Sequence, residues 1–249
     1  MVVNLRSPKR MVLTALLMPI VFALSSQPAR AETPRVVALG DSLTSGRGID
    51  KESAFPALLE ERLRTAGFDY DVVNAGVSGD TTARALRRYR DALDGDVRVL
   101  LLALGANDGL RGVPVRQLKA NVSEIIEEAK RRKIEVVLVG MDALPVHGWD
   151  YSVAFHKAYE ELAATYRLPL VPFMLPKVMM DASLMQRDRV HPNEAGAQVI
   201  ADTIWPFLEP LLVRLPSTRL RPGKPDATTE PSIRRPASDS AGVGTIPRR

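Results

Sequence analysis

The chain has 249 residues, no cysteine and a formal charge of +5. That length suits one α/β domain with a sizeable core, and the missing cysteines exclude disulfides, thiolate catalysis and Cys-ligated metals. The charge is uneven: residues 1–31 carry four basic and no acidic residues, and residues 214–249 carry eight basic and three acidic. Removing those +4 and +5 leaves about −4 for residues 32–213, so the high pI does not point to nucleic acid.

The first 31 residues read as a targeting segment. Arg6, Lys9 and Arg10 form a basic leader, an apolar run follows from Met11 to Leu24, and Ala29-Arg30-Ala31 ends it. This order is that of a secretory signal peptide, with cleavage expected after Ala31. The apolar run is shorter than the ~20 residues that span a bilayer and contains Pro19. A periplasmic or secreted location follows as the expectation.

From residue 34 to residue 213, strand-like and helix-like patterns alternate, the signature of a parallel sheet flanked by helices. Arg35 to Leu39 reads as a buried strand that breaks at Gly40 and leaves Ser42 on the following turn. Phe55, Leu58, Leu59 and Leu63 recur at helical spacing, with Ser53 as the expected N-cap and Gly67 near the end. Tyr70 to Ala75 is a second strand, followed by a Gly79-containing turn. A helix with a solvated basic face (Arg84, Arg87, Arg88, Arg90) is then expected from Thr82 to Leu93.

Val97 to Leu104 is apolar almost throughout, which places it at the middle of the sheet, buried on both faces. It ends in Gly105-Ala106-Asn107-Asp108-Gly109. Val115, Leu118, Val122, Ile125, Ile126 and Ala129 form an amphipathic helix with a basic last turn, as its dipole favours. Ile134 to Val139 is the fourth strand, Tyr151 to Tyr166 a helix, and Leu168 to Phe173 a short fifth strand. An irregular segment through His191 precedes a last helix that Pro206 and Pro210 are expected to bend or end. Residues 214–249, rich in Pro and charge, cannot bury enough apolar surface to order and are expected to be disordered.

Three of the glycine-rich breaks directly follow strands, so they share the carboxyl edge of the sheet, where ligands bind in open α/β folds. Ser42 there is a candidate nucleophile that needs a base. The chain has three histidines. His156 lies within a helix, where a surface or core role is the default; His147, in the loop after the fourth strand, stays open as a base. His191 has a carboxylate three residues before it, Asp188, which a tight turn would bring against the imidazole to fix its tautomer. Gly79 could donate its backbone N–H to an oxyanion and Asn107 its side-chain amide, with the Ser42 N–H as a third donor. Both Gly79 and Asn107 are equally at home in ordinary turns.

Taken together, Gly40-Asp41-Ser42-Leu43-Thr44, the block Asn74 to Thr82, Gly105 to Gly109, and Asp188-Arg189-Val190-His191-Pro192-Asn193 resemble the four blocks of the SGNH (GDSL) hydrolases. The nearest branch is the periplasmic thioesterase I, lysophospholipase L1 and arylesterase group, and the resemblance spans residues 34–213. It implies a flavodoxin-like three-layer α/β/α sandwich with a five-stranded parallel sheet. It also implies Ser42 as nucleophile, His191 as base and then acid, Asp188 as its orienting carboxylate, and an oxyanion hole of Ser42, Gly79 and Asn107. Neither metal nor cofactor is implied. The expected activity is hydrolysis of acyl esters and thioesters of small or lipid-like substrates by a monomer. A carbohydrate O-acetylesterase on the same scaffold is the alternative, with a non-catalytic binding protein behind it. The basic tail would add at most a loose contact with anionic envelope components. Two segments depart from the branch, Pro145-Val146-His147-Gly148 and Gln186-Arg187-Asp188-Arg189-Val190; both would line the acyl site.

Overall fold

The computed structural model describes residues 32–215. The expected signal peptide (1–31) and all but the first two residues of the expected tail lie outside the described residues. Five strands form one parallel sheet: β1 Arg35–Gly40, β2 Asp71–Gly76, β3 Val97–Ala103, β4 Glu135–Val139 and β5 Leu170–Val171. Their order is β2-β1-β3-β4-β5, which puts the most apolar strand at the centre. Leu100, Leu101 and Leu102 of β3 are buried on both faces, as a strand covered by two helical layers must be. β2, at one edge, has no fully buried residue.

Nine helices interrupt the strands among the described residues: α1 Ser42–Ser45, α2 Phe55–Thr65, α3 Thr82–Ala85, α4 Tyr89–Ala92, α5 Ala106–Leu110, α6 Val115–Arg131, α7 Trp149–Tyr166, α8 Pro176–Met179 and α9 Glu194–Arg214. α2 packs with α9, and α6 with α7, completing an α/β/α sandwich. The alternation of short strand and long amphipathic helix produces it. A parallel connection needs a crossover, and the helix that makes it buries its apolar stripe on the sheet.

Several local expectations are corrected. Ser53 is not the cap of α2; it belongs to a short 3-10 turn, and Ala54 occupies the cap position with Pro56 in the first helical turn. The helix expected over Thr82 to Leu93 is two short pieces, α3 and α4, broken between Leu86 and Arg88. β5 is only two residues long, because Pro169 and Pro172 flank it and a proline has no N–H for the ladder. α9 is neither ended nor divided by Pro206 and Pro210 and runs through both. An interior proline costs ~3 kcal/mol. The buried Ile200, Ile204, Leu208, Leu211 and Leu212, each contributing ~1.5–3 kcal/mol on full burial, outweigh two such losses.

Candidate active site

The register brings three chain breaks level. Gly40 lies opposite Gly76 on one side and Ala103 on the other, so the turns after β1, β2 and β3 emerge side by side at the carboxyl edge. Ser42 is the first residue of α1, and Asp41 caps that helix by accepting from the Leu43 N–H at 3.0 Å. Gly79 sits in the turn after β2 with φ +80°, a left-handed conformation that glycine adopts without strain. It precedes Thr81, which caps α3. Asn107 is the second residue of α5, which follows β3.

His191 comes from the other end of the chain. The segment before α9 is held by Asn193, whose side chain caps that helix through the Gly196 N–H at 3.0 Å. His191 is buried, and its Nε2 lies 3.0 Å from Ser42 Oγ. Its Nδ1 lies 2.7 Å from Asp188 Oδ2. The other Asp188 oxygen accepts the backbone N–H groups of Val190, at 2.9 Å, and His191, at 3.0 Å. Hydrogen bonds from the His191 backbone, the His191 ring and the Val190 backbone hold the Asp188 carboxyl well below the usual carboxylate range. An ionised carboxylate facing Nδ1 keeps the proton on Nδ1, which leaves Nε2 free to accept from the serine hydroxyl.

Of the two residues between them, Arg189 has φ +54°, so the turn that pairs Asp188 with His191 carries a left-handed, non-glycine position. The departing sequence Gln186-Arg187 contributes a tie. Gln186 Nε2 donates to Arg47 O at 2.7 Å and to Pro192 O at 2.8 Å, and its backbone N–H to His191 O at 2.8 Å. The histidine loop is thereby fastened to the loop that follows Ser42. A Cβ on Gly48 would strike the Gln186 side chain at 2.2 Å, so this close approach requires the glycine.

The other two histidines are elsewhere. His147 is exposed, its Nε2 is 3.1 Å from Leu110 O, and its ring meets Tyr151 edge-on. His156 pairs on the surface with Asp142 at 2.7 Å, which raises its pKa. Of the three histidines, His191 is the one hydrogen-bonded to Ser42.

Each of the three sequence-predicted oxyanion donors has a buried aspartate as its chain neighbour. Asp41, before Ser42, accepts from the Asn107 side-chain amide at 3.2 Å. Burial pushes its pKa up to about 6 against the lowering effect of the Leu43 and Asn107 hydrogen bonds. Asp108, after Asn107, accepts from Thr82 N at 2.8 Å and Thr82 Oγ1 at 2.6 Å; burial raises its pKa too. Thr82 Oγ1 in turn accepts from Asn121 Nδ2 at 2.9 Å. Asp80, after Gly79, pairs with Arg88 at 2.7 Å and Arg84 at 3.3 Å. The arginine face is therefore not wholly solvated: Arg84, Arg87 and Arg90 are exposed, but Arg88 turns inward. These aspartates, Thr82, Arg88 and Gln186 escaped the sequence reading. The adjacency of Asp to Ser42, Gly79 and Asn107 was the signal available.

Space beside the serine is small. Ser42, Leu43, Gly46, Ile49, His191 and Pro192 line a cleft of about 10 Å³. A shallow groove of about 390 Å³ lies along the loop after β4, lined by Leu144, Pro145, Trp149 and Val153 among others.

Residues 38–199 match the GDSL-like lipase/acylhydrolase family. The chain belongs to that family. It is a carboxylic ester hydrolase of the GDSL type. It is 38% identical over 194 residues to the Esterase TesA of Pseudomonas aeruginosa, covering 78% of this chain and 96% of that protein. It is 34% identical to the Thioesterase 1/protease 1/lysophospholipase L1 of Escherichia coli K12, over 76% of this chain and 89% of that protein. The crystal structure of TesA superimposes with a TM-score of 0.68 at 37% identity, covering 72% of this chain and 99% of that chain. The GDSL chain thus shares the five-stranded parallel architecture of solved SGNH hydrolases as well as their sequence blocks.

Proposed function

We propose that this GDSL hydrolase is an exported serine esterase that cleaves acyl esters and thioesters through an acyl-enzyme on Ser42. The observation that carries the reading is the hydrogen-bonded line Ser42 Oγ, His191, Asp188, at 3.0 and 2.7 Å. A serine hydroxyl is a weak nucleophile until a base takes its proton. His191 Nε2 accepts that proton as Oγ attacks the carbonyl, and Asp188 stabilises the imidazolium that forms. The carbonyl oxygen becomes an oxyanion, which the N–H groups of Ser42 and Gly79 and the amide of Asn107 receive. The tetrahedral centre collapses, the C–O or C–S bond breaks, and His191 returns its proton to the leaving group. Water, deprotonated by the same nitrogen, then attacks the acyl-serine; as the second tetrahedral centre collapses, the bond to Ser42 Oγ breaks, His191 returns the proton to that oxygen, and the acid is released.

The names of the relatives, esterase and thioesterase/lysophospholipase, support an ester or thioester of a small or lipid-like molecule as substrate. The basic leader, apolar run and Ala29-Arg30-Ala31 support export, with residues 32–213 as the catalytic domain. The test is Ser42→Ala: p-nitrophenyl ester turnover should vanish with the fold intact, and covalent labelling by a phosphonate ester should be lost with it. Unchanged turnover would remove Ser42 from the reaction.

The relatives on this scaffold include an acetylxylan esterase, which supports one other reading, an O-acetylesterase acting on carbohydrate. A panel of esters and thioesters of increasing chain length separates the two. A collapse of kcat/KM beyond acetyl selects the sugar esterase, and turnover that persists to medium chains selects the reading above.

A further inference from the structure

Arg88 occupies a place that a surface arginine does not. Its side chain is 25% exposed, and its guanidinium meets three different segments. One terminal nitrogen donates to Ala75 O, at the end of β2, at 2.8 Å. The other donates to Gly40 O, at the end of β1 and two residues before Ser42, at 2.9 Å. Nε donates to Asp80, the residue after Gly79, at 2.7 Å. The rigid planar fork of arginine presents donors to all three of these spread acceptors at once, a geometry that the compact ammonium of lysine does not reproduce.

The contact completes a circuit. Asn107 is joined to the Ser42 turn through Asp41, and the α3 turn is joined to α5 through Thr82 and Asp108. Arg88 supplies the remaining side by joining the Gly79 turn to the Ser42 turn. Without it, the Gly79 segment meets the end of β1 through the bond from Val77 N to Gly40 O, at 3.1 Å, and the end of α1 through the exposed contact of Ser78 Oγ with Ser45 Oγ; Arg111 ties it separately to α5 by donating to Gly79 O at 3.3 Å.

We infer that Arg88 is a positioning residue for the oxyanion hole: by clamping Gly40, Ala75 and Asp80 together, its guanidinium sets the Gly79 N–H at its distance from the Ser42 nucleophile. The inference rests on the reading of Ser42 and Gly79 given above. Arg88 touches no reacting atom. Its loss lets the Gly79 donor drift, and because that donor acts on the charge that develops in the transition state, the effect falls on kcat rather than on KM.

The test compares Arg88→Lys, Arg88→Ala and Asp80→Asn with the parent protein on a p-nitrophenyl ester. Misplacement of a catalytic group by ~1 Å costs about 10²-fold, so Arg88→Lys should lower kcat about 10- to 100-fold with KM within twofold. Millimolar guanidinium should restore part of the loss in Arg88→Ala, where methylammonium should not. Asp80→Asn should lower kcat in the same sense, and the Asp80→Asn/Arg88→Lys pair should cost less than the two losses multiplied, because both act through one contact. Folded variants with parental kcat would overturn the inference, as would a failure of both Arg88→Lys and Asp80→Asn to fold, which would assign the clamp to the fold alone. Ser42→Ala, run alongside, separates the outcomes: if it stays active the underlying reading fails, and if it is inactive while the Arg88 variants are unimpaired, only the clamp fails.

Discussion

Two aspartates stand beside the two ends of the proposed relay, and their surroundings are opposite. Asp188, next to the base, has a side chain 46% exposed, and donors hold it ionised. Asp41, next to the nucleophile, is fully buried, and burial lifts its pKa to about 6. The contrast separates two tasks a carboxylate can perform. In the proposed reaction Asp188 must be an anion, because it faces a ring that would become positive during each turnover. Asp41 must be a fixed acceptor, because it caps α1 and steadies the Asn107 amide. A charge can work half in water if backbone donors aim it. A fixed acceptor is best made by burial.

The largest effect that would break this comparison is at the base itself. His191→Ala should lower kcat by ~10⁵–10⁶, the scale seen when a triad histidine is removed, whereas His147→Ala should stay within about threefold. Steady-state rates on one aryl ester decide it, and the reverse ranking would transfer the base to the loop after β4. Next comes Asp188→Asn, which still accepts the Val190 and His191 N–H groups through its remaining oxygen but turns an N–H toward Nδ1. The wrong tautomer should cost ~10⁴ in kcat with little change in thermal midpoint. A loss below tenfold would mean that water replaces the carboxylate there.

Asn107→Ala should lower kcat by ~10²–10³ with KM nearly unchanged. A loss under threefold would leave Asn107 as a structural partner of Asp41 only. The smallest effect is on stability. The raised pKa of Asp41 means that between about pH 4 and pH 6 the unfolded chain has released this proton while the folded chain keeps it. Stability from this group therefore falls as pH rises through that window, by about 3 kcal/mol at ~1.4 kcal/mol per pH unit. Asp188 has the opposite sign: its contribution is present above the ordinary carboxylate pKa and is lost as pH falls below it. Asp41→Asn, followed by urea midpoints from pH 4 to 6.5, should remove the downward slope; an unchanged slope would place its origin elsewhere.

The same contrast separates what the sequence revealed from what it hid. Strand order was legible at β3, where Val97 to Leu104 is too apolar for anything but the centre of the sheet. That Ser42, His191 and Asp188 come together was legible through the four blocks that resemble the SGNH hydrolases; a strand-end serine or a carboxylate three residues from a histidine alone is as common in ordinary turns. Asp41, Asp80 and Asp108 looked like turn residues, and only tertiary structure removes a turn aspartate from water. Arg88 looked solvated because helical periodicity was assumed over Thr82 to Leu93. The break after α3 rotates it inward toward Ala75 and Gly40. The boundaries of β5 and α9 were missed for opposite reasons: the missing N–H groups of Pro169 and Pro172 shorten the strand, whereas packing on the sheet carries the helix through Pro206 and Pro210.

The short fifth strand has a consequence at the rim of the sheet. An unpaired strand edge is a template for another chain. At the β5 side the template is two residues long and bounded by Pro169 and Pro172, which offer no N–H. At the β2 side, the amide of Val72 is taken by Glu60 at 2.8 Å and that of Gly76 by Asn74 at 3.0 Å. The sheet is thus terminated by proline on one flank and by side chains on the other. A parallel sheet that ends in this way resists edge-to-edge aggregation without a cross-link, which suits a chain that has no cysteine to make one.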